Sequence, residues 1–269
     1  GWEADVNVAQ NIYIARLKNP WTIQGKRVKL SSPIYDWEKR GSVKGSLPTV
    51  NEGPEILKSP QGRLFLLYSA SGCWTDHYSL GMLSLKKGGN PMKASDWVKS
   101  DHPVFASAPD IGVYAPGHNG FFKSPDGKQD WFIHFRDMEA YGRVTYLEPM
   151  KWIHDWPVIG VDKDGDGTGE PVSGYVKPAV GASQPLAVPA TSDEFNGILL
   201  GLQWQWQANP RGTWSFMTHA ALRLYAQPYQ AGHRNYWDVP NILMQKFPAD
   251  AFSATTKLTF HALNEGDRA

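Results

Sequence analysis

Glu55-Ile56-Leu57-Lys58-Ser59-Pro60-Gln61-Gly62-Arg63-Leu64-Phe65-Leu66-Leu67-Tyr68 is answered further along the chain by Gly120-Phe121-Phe122-Lys123-Ser124-Pro125-Asp126-Gly127-Lys128-Gln129-Asp130-Trp131-Phe132-Ile133-His134-Phe135. Lys58 and Lys123 stand 65 positions apart. Each copy reads as a short apolar strand, a Ser-Pro-x-Gly turn and a second, aromatic-rich strand. Just ahead of the first copy lies Glu52, in Thr49-Val50-Asn51-Glu52-Gly53-Pro54. Just ahead of the second lies His118, in Ala115-Pro116-Gly117-His118-Asn119-Gly120. Two ionisable groups at matching places in consecutive repeats share one location if the repeats are arranged radially. Such an array is a β-propeller, and the shared location is its axial pocket.

A second repeat supports this reading. Asn11-Ile12-Tyr13-Ile14-Ala15-Arg16 runs through Asn19-Pro20 to Val28-Lys29-Leu30-Ser31-Ser32-Pro33. Tyr78-Ser79-Leu80-Gly81-Met82-Leu83-Ser84-Leu85 runs through Asn90-Pro91 to Pro103-Val104-Phe105-Ala106-Ser107, 71 positions later when Asn19 is set on Asn90. Proline cannot donate to a strand ladder, so Asn-Pro suits the connecting loops. A looser third copy starts at Arg143-Val144-Thr145-Tyr146-Leu147 and carries Pro149 and Trp152. The chain is expected to hold the outer half of one blade, a full blade and most of another. A propeller closes with about 4–8 blades. The sequence therefore predicts a β-propeller, incomplete at its N-terminus, because the chain opens at Gly1 inside a strand-forming pattern.

The 269 residues carry a formal net charge of +1 with dispersed signs, which argues against nucleic acid as the partner. No apolar run approaches the ~18 residues of a membrane span. Cys73 is alone, so neither a disulfide framework nor a thiolate metal cluster is available, and its expected role is a small buried hydrophobe. Twelve Trp, eleven Tyr and eleven Phe are the compositional signal. Aromatic rings stack on the apolar face of a sugar while their polar edges stay wet, although most such rings fill gaps between sheets. Trp2, Trp74 and Tyr114 sit in Gly-rich loop contexts that suit surface display.

Residues 1–175 are all-β by pattern, and 176–191 form a Pro/Ala-rich linker. Residues 192–269 form a second module, expected to be a partial β-sandwich. Its strands are expected at Leu202-Gln203-Trp204-Gln205-Trp206-Gln207, around Leu222–Leu224 and at Thr256–Phe260. Glu52 is the leading chemical candidate. A carboxyl at the start of an apolar strand is desolvated, which raises its pKa as a general acid requires. His118 is the second candidate, as an axial or orienting group. Asp162-Lys163-Asp164-Gly165-Asp166-Gly167-Thr168-Gly169-Glu170 opens like a calcium loop but has Ser173 where the bidentate Glu belongs, so a charged hairpin turn is the preferred reading.

At these residues the sequence resembles glycoside hydrolase family 43. The resemblance rests on Asn51-Glu52-Gly53-Pro54, Gly117-His118-Asn119, Tyr141-Gly142-Arg143 and Leu147-Glu148-Pro149-Met150-Lys151-Trp152. Residues 1–135 look like α-L-arabinofuranosidase members. From about residue 130 the chain looks more like members with a C-terminal concanavalin-like β-sandwich, through Ser192-Asp193-Glu194-Phe195-Asn196-Gly197 and Gly201-Leu202-Gln203-Trp204-Gln205-Trp206. The resemblance implies a five-bladed propeller and hydrolysis with inversion. It matches the general-acid Glu to Glu52 and a sugar-contacting Arg to Arg143. It matches an axial His, beside a cation such as Ca2+ or a water, to His118. Trp2 and Trp74 join as candidate sugar contacts. The family's general-base Asp and the Asp that tunes the acid lie upstream of the segment that begins here, and no position matches either. Asp36, Asp76, Asp110 and Asp137 are the acidic loop candidates that remain, with no motif behind them.

The expected function is release of α-L-arabinofuranosyl residues from arabinose-containing plant polysaccharides. The rivals are a β-xylosidase acting on xylo-oligosaccharides and an inactive sugar-binding fragment. The expected partner is an arabinose- or xylose-containing oligo- or polysaccharide, with no nucleic acid and no membrane. The expected location is secreted or periplasmic.

Overall fold

The structure is a computed structural model that describes residues 9–44, 46–137, 142–178, 180–183, 185–228, 232 and 234–267, with the Asp137 side chain left out. The chain divides into two compact units, residues 1–182 and 183–269. Both are all-β apart from short 3-10 turns.

The first unit is built from strands β1 (Ile12–Asn19), β2 (Thr22–Ser31), β3 (Asn51–Lys58), β4 (Leu64–Ala70), β5 (Ser79–Leu85) and β6 (Trp97–Lys99), followed by β7 (Gly117–Lys123), β8 (Asp130–Asp137), β9 (Arg143–Ile153) and β10 (Trp156–Ile159). β1 and β2 form an antiparallel hairpin that turns at Asn19-Pro20. β3-β4-β5-β6 and β7-β8-β9-β10 are two four-stranded antiparallel meanders. The expected part-blade and full blade are present, and the third repeat is a whole four-stranded sheet rather than most of one. The two Ser-Pro-x-Gly turns join β3 to β4 and β7 to β8. In each, the glycine amide bonds back to the serine carbonyl (2.9 Å in the first, 2.8 Å in the second) at a φ only glycine adopts freely, +88° at Gly62 and +72° at Gly127.

The central sheet is apolar on both faces. Along β4, Phe65 and Leu67 point to one side with Leu57, Leu80 and Met82. There they meet Phe132, Met150 and Ile159 of the neighbouring sheet, with Phe105 between. Leu66, Tyr68 and Ala70 alternate to the other side and join Ile12 of the hairpin, Leu83, Leu85 and Trp97. A sheet covered on both faces reads as a near-continuous apolar run, which is how Leu64–Ala70 reads. Burial of that order, at about 25 cal/mol per Å² of apolar surface, is the main force holding the three sheets face to face.

In the second unit the strands are short: β11 (Gln205–Trp206) pairs with β14 (Leu243–Met244), and β12 (Ser215–Met217) pairs with β13 (Leu222–Leu224). The expected strand at 202–207 is realised only at Gln205–Trp206, and Leu202 is fully exposed. The expected strand at Thr256–Phe260 is absent, and these residues lie exposed. Alternation specifies a strand only where a partner strand pairs it. Trp204 and Trp206 are half-buried against Phe195 and Trp214, but among the described residues only Gln205–Trp206 finds a ladder partner, and Thr256–Phe260 lies exposed.

Candidate active site

The inner strands of both meanders carry a β-bulge at the same level. Glu52 pairs with Ser69 and Glu55 with Leu67, so β3 holds one extra residue at Gly53-Pro54. Gly117 pairs with Phe135 and Gly120 with Ile133, so β7 holds one extra residue at His118-Asn119. The residues that turn the bulges are Gly53 at φ +55° and His118 at φ +59°. This corrects the sequence alignment by one position. The offset of 65 that joins Lys58 to Lys123 joins Gly53, not Glu52, to His118, and joins Glu52 to Gly117. A left-handed residue swings its side chain off the strand's usual alternation, and that swing carries His118 toward Glu52 despite the mismatch.

Tyr78, just ahead of β5, is the meeting point. Its hydroxyl donates to Glu52 Oε1 at 2.9 Å and lies 3.4 Å from His118 Nδ1. The His118 backbone N–H donates to Ser69 Oγ at 2.9 Å. The Tyr78 ring is fully buried and stacks on Phe135 at 5.5 Å. A Cβ at Gly117 would come within 2.3 Å of that ring, so only glycine lets β7 pass over it. His118 also stacks on Phe135, at 5.8 Å, and the Arg143 guanidinium lies over the same ring at 4.8 Å. Arg143 in turn donates to Cys73 Sγ at 2.9 Å. Burial first, and then the Glu52 charge, push the Tyr78 phenol far above its ordinary value. The hydroxyl is therefore a neutral donor at any working pH.

Exposure is graded across the site. Tyr78 is buried at its floor, Glu52 and Cys73 are half-buried, and His118 and Arg143 are exposed. The half-buried Cys73 corrects the expected core hydrophobe, because its sulfur meets a guanidinium. Burial pushes its thiol up and the Glu52 charge adds to that, while Arg143 pulls it down, and the net is above the usual value.

Glu52 stands on a buried polar post that the sequence reading missed. Its neighbour Asn51 donates from Nδ2 to Glu38 Oε1 at 2.9 Å and accepts from Ser31 Oγ at 2.7 Å. Glu38 is fully buried and also accepts from Tyr68 Oη (3.0 Å), the Ile34 and Tyr35 amides (2.8 and 3.0 Å) and Lys99 Nζ (2.6 Å). Burial pushes the Glu38 carboxyl up, but these donors, Lys99 foremost, outweigh it and hold it below the usual range. Lys99 is held below its own usual value, because burial outweighs the attraction of Glu38.

Other expected contributors do not join this cluster. Trp2 and Tyr141 lie outside the described residues. Trp74 packs its ring on Gly72 and Gly41 and donates from Nε1 to the Gly41 carbonyl at 3.0 Å. Asp36 is at the surface 3.8 Å from Lys39, and Asp76 and Asp110 are exposed. The described side chains that meet around His118 bring one carboxylate, Glu52, whereas Ca2+ takes about 6–8 oxygen ligands. They do not fit such an ion, so the chemistry of Glu52 is derived without one. Asp162, Asp164 and Asp166 bring carboxylate oxygens within 4.8 Å of one another and could hold a metal. They lie in a hairpin closed by the Val161–Glu170 bridge, as the charged-turn reading expects.

Residues 1–157 match the model of glycosyl hydrolases family 43, and residues 192–269 match the β-xylosidase C-terminal concanavalin A-like domain. The chain is 37% identical over 155 residues to an extracellular exo-α-(1→5)-L-arabinofuranosidase of Streptomyces avermitilis, covering 54% of this chain and 30% of that protein. It is 30% identical over 249 residues to a β-xylosidase of Formosa agariphila, covering 82% of this chain and 38% of that protein. The chain thus spans well under half the length of these relatives. Among solved structures, an α-L-arabinofuranosidase of Lactobacillus brevis superposes with TM-score 0.50 at 35% identity, over 62% of this chain and 49% of that one. Bacteroides ovatus GH43B superposes with TM-score 0.64 over 89% of this chain and 44% of that one, and at 20% identity it speaks to the fold alone. The family match covers more than half of the 269 residues and includes the bulged strands, Glu52 and His118, and on that ground the chain belongs to glycosyl hydrolase family 43.

Proposed function

We propose that this chain carries the acid half of an inverting glycosidase site in a five-bladed propeller. Its substrate is an α-L-arabinofuranosyl unit on an arabinose-containing plant polysaccharide. The observation that carries the reading is the convergence of Glu52 and His118 on Tyr78 Oη at paired bulges of neighbouring sheets. Glu52 is the general acid, placed half-buried at the mouth of the site with its carboxyl held by a buried phenol. His118 and Arg143, stacked on Phe135 and open to solvent, supply donors to the sugar hydroxyls. Inversion requires a base carboxylate about 6.5–9.5 Å from the acid, with room between them for the attacking water. The arabinofuranosidase relatives, 37% and 43% identical over 155 and 124 residues, favour an arabinoside.

A β-xylosidase is the second reading. It is favoured by the match of residues 192–269 to a β-xylosidase C-terminal domain and by the longer alignment to the Formosa protein. Turnover of aryl α-L-arabinofuranoside against aryl β-D-xyloside separates the two, with the anomer of the first-formed sugar followed by NMR. The assay is run on residues 1–269 and on a form extended upstream, each beside Glu52→Gln. Loss of hydrolysis in Glu52→Gln with arabinose as the inverted product is the expected result. Full activity in Glu52→Gln would remove the acid assignment. Binding of arabino- or xylo-oligosaccharides with no turnover in any form would support a non-catalytic sugar-binding role instead.

A further inference from the structure

The Tyr78 hydroxyl has one proton; Ser69 donates to its oxygen, and Glu52 and His118 are the two groups placed to compete for the proton. Glu52 Oε1, at 2.9 Å, is the nearer and the more negative, and Tyr78 donates to it. The contact to His118 Nδ1, at 3.4 Å, then closes as a hydrogen bond only if Nδ1 carries the proton and the phenol oxygen accepts. In that tautomer the three groups form a directed chain, His118 Nδ1–H to Tyr78 O–H to Glu52 Oε1. Its middle member cannot move. The ring is fully buried, stacked on Phe135 and capped by the Gly117 backbone, which leaves no space above it even for a methyl group.

We propose that Tyr78 is the positioning residue of the acid: by occupying Oε1 it fixes the rotation of the Glu52 carboxyl and puts the transferable proton on Oε2. The proposal rests on the reading of Glu52 as general acid. In the step, the proton leaves Oε2 for the glycosidic oxygen as the bond from that oxygen to the anomeric carbon breaks and its electron pair stays on the oxygen. Water forms the new bond at carbon and gives its own proton to the base. Glu52 is left as a carboxylate, and the O–H of Tyr78 on Oε1 stabilises the charge that appears there. A carboxyl free to rotate would spend part of its time with its proton turned toward the phenol. That loss matters only when the leaving group needs protonation.

The test uses Tyr78→Phe in the full chain, which keeps the ring and removes only the hydroxyl. An alkyl arabinofuranoside, whose leaving group needs the proton, is compared with the 2,4-dinitrophenyl arabinofuranoside, which does not. General acid catalysis is worth roughly 10²–10⁴-fold, so a mispositioned acid should lower kcat on the alkyl glycoside about 10- to 100-fold. The dinitrophenyl glycoside should fall less than about threefold, with KM nearly unchanged on both. Equal losses on the two substrates would make Tyr78 merely structural and overturn the proposal. Nitrogen-15 spectra of the His118 imidazole give a readout that needs neither turnover nor the variant. A proton on Nδ1 is expected, and a bare Nδ1 in the unmodified protein would break the chain and the proposal with it. If neither residues 1–269 nor the form extended upstream hydrolyses either glycoside, the reading of function fails, and the imidazole spectrum still decides the hydrogen-bond chain.

Discussion

Replacing Glu38 by Gln should be among the most damaging single changes in the first unit, although Glu38 is fully buried beneath Asn51 and away from the Glu52–Tyr78–His118 cluster. The carboxylate is fully buried, and donors converge on both of its oxygens: Ile34 and Tyr35 N–H on Oε2, Asn51 Nδ2 and Tyr68 Oη on Oε1, and Lys99 Nζ spanning both. An amide keeps one acceptor and turns a donor toward the other set, whichever way it rotates. At least two donors then lose their acceptor, at about 1–3 kcal/mol each, and Lys99 keeps a buried charge with no counter-ion. Breaking a buried pair from one side costs about 3–5 kcal/mol, a large share of the roughly 5–15 kcal/mol that holds a domain folded. Lys99→Met should cost less. It leaves Glu38 with four neutral donors, whereas Lys99 without Glu38 keeps only the Ser32 carbonyl, a long contact to Asn51 and the faces of Tyr35 and Tyr68. Urea unfolding of the two variants, compared by midpoint at constant slope, measures both costs. A loss under about 1 kcal/mol for Glu38→Gln, or a larger loss for Lys99→Met, would refute the view that the post stands on the carboxylate.

The same carboxyl sets an acid limit. Its folded pKa lies below the unfolded value, so its contribution is full above the unfolded pKa of about 4.3 and is lost as pH falls through the folded one. Urea midpoints measured from pH 6 down to pH 3 should therefore fall more steeply for the natural protein than for Glu38→Gln. Gly117→Ala drives a Cβ to within 2.3 Å of the Tyr78 ring, an overpacking that should cost about 1–3 kcal/mol in urea and displace the phenol from Glu52. A variant as stable and as active as the parent would show that Tyr78 has room to move. Arg143→Ala removes the cation beside Cys73, whose thiol is already held above its usual pKa, so alkylation of Cys73 at pH 8 should slow. A faster reaction would mean that Arg143 shields the sulfur more than it activates it.

The two four-stranded meanders were legible in the sequence because their turns are chemically explicit. Ser-Pro-x-Gly fixes a φ that glycine supplies and a serine hydroxyl that accepts the amide at the far side of the turn, as Ser59 does for Arg63 and Ser124 for Gln129. Those bonds act within a few residues, so the sequence states them directly. Glu38, Tyr78 and Phe135 were not legible. Their roles depend on partners far away in the chain: Lys99 lies 61 positions from Glu38, and His118 lies 40 positions from Tyr78. No local pattern encodes that a buried Glu is satisfied or that a Tyr before a strand is shared between two others. The one-residue misalignment of His118 has the same origin. A bulge leaves only a faint mark in sequence, the glycine of Gly53-Pro54, and at His118 not even that, since a left-handed histidine looks like any other. In the second unit the alternation of Leu202–Gln207 places Trp204 and Trp206 against Phe195 and Trp214, but among the described residues a ladder partner meets only Gln205–Trp206.

The bulges also supply the argument that this place is a site and not a well-made corner of a β fold. An extra residue in an inner strand forfeits ladder bonds and forces a left-handed φ, which for a non-glycine such as His118 costs roughly 1–2 kcal/mol. Beside it, Asn119 is buried with neither amide atom partnered among the described residues, a further local penalty. A sheet selected for stability alone would shed both features. Neighbouring sheets that break the pairing rule at one level, and turn a carboxylate and an imidazole onto one buried phenol, are the strained arrangement that the proposed acid site accounts for. The elements that hold it are rigid: Glu38 beneath Asn51, Phe135 beneath three side chains, and Gly117 over Tyr78. The post and the Tyr78 ring are buried, and His118 and Arg143 form the exposed edge, where the proposed sugar contacts would lie.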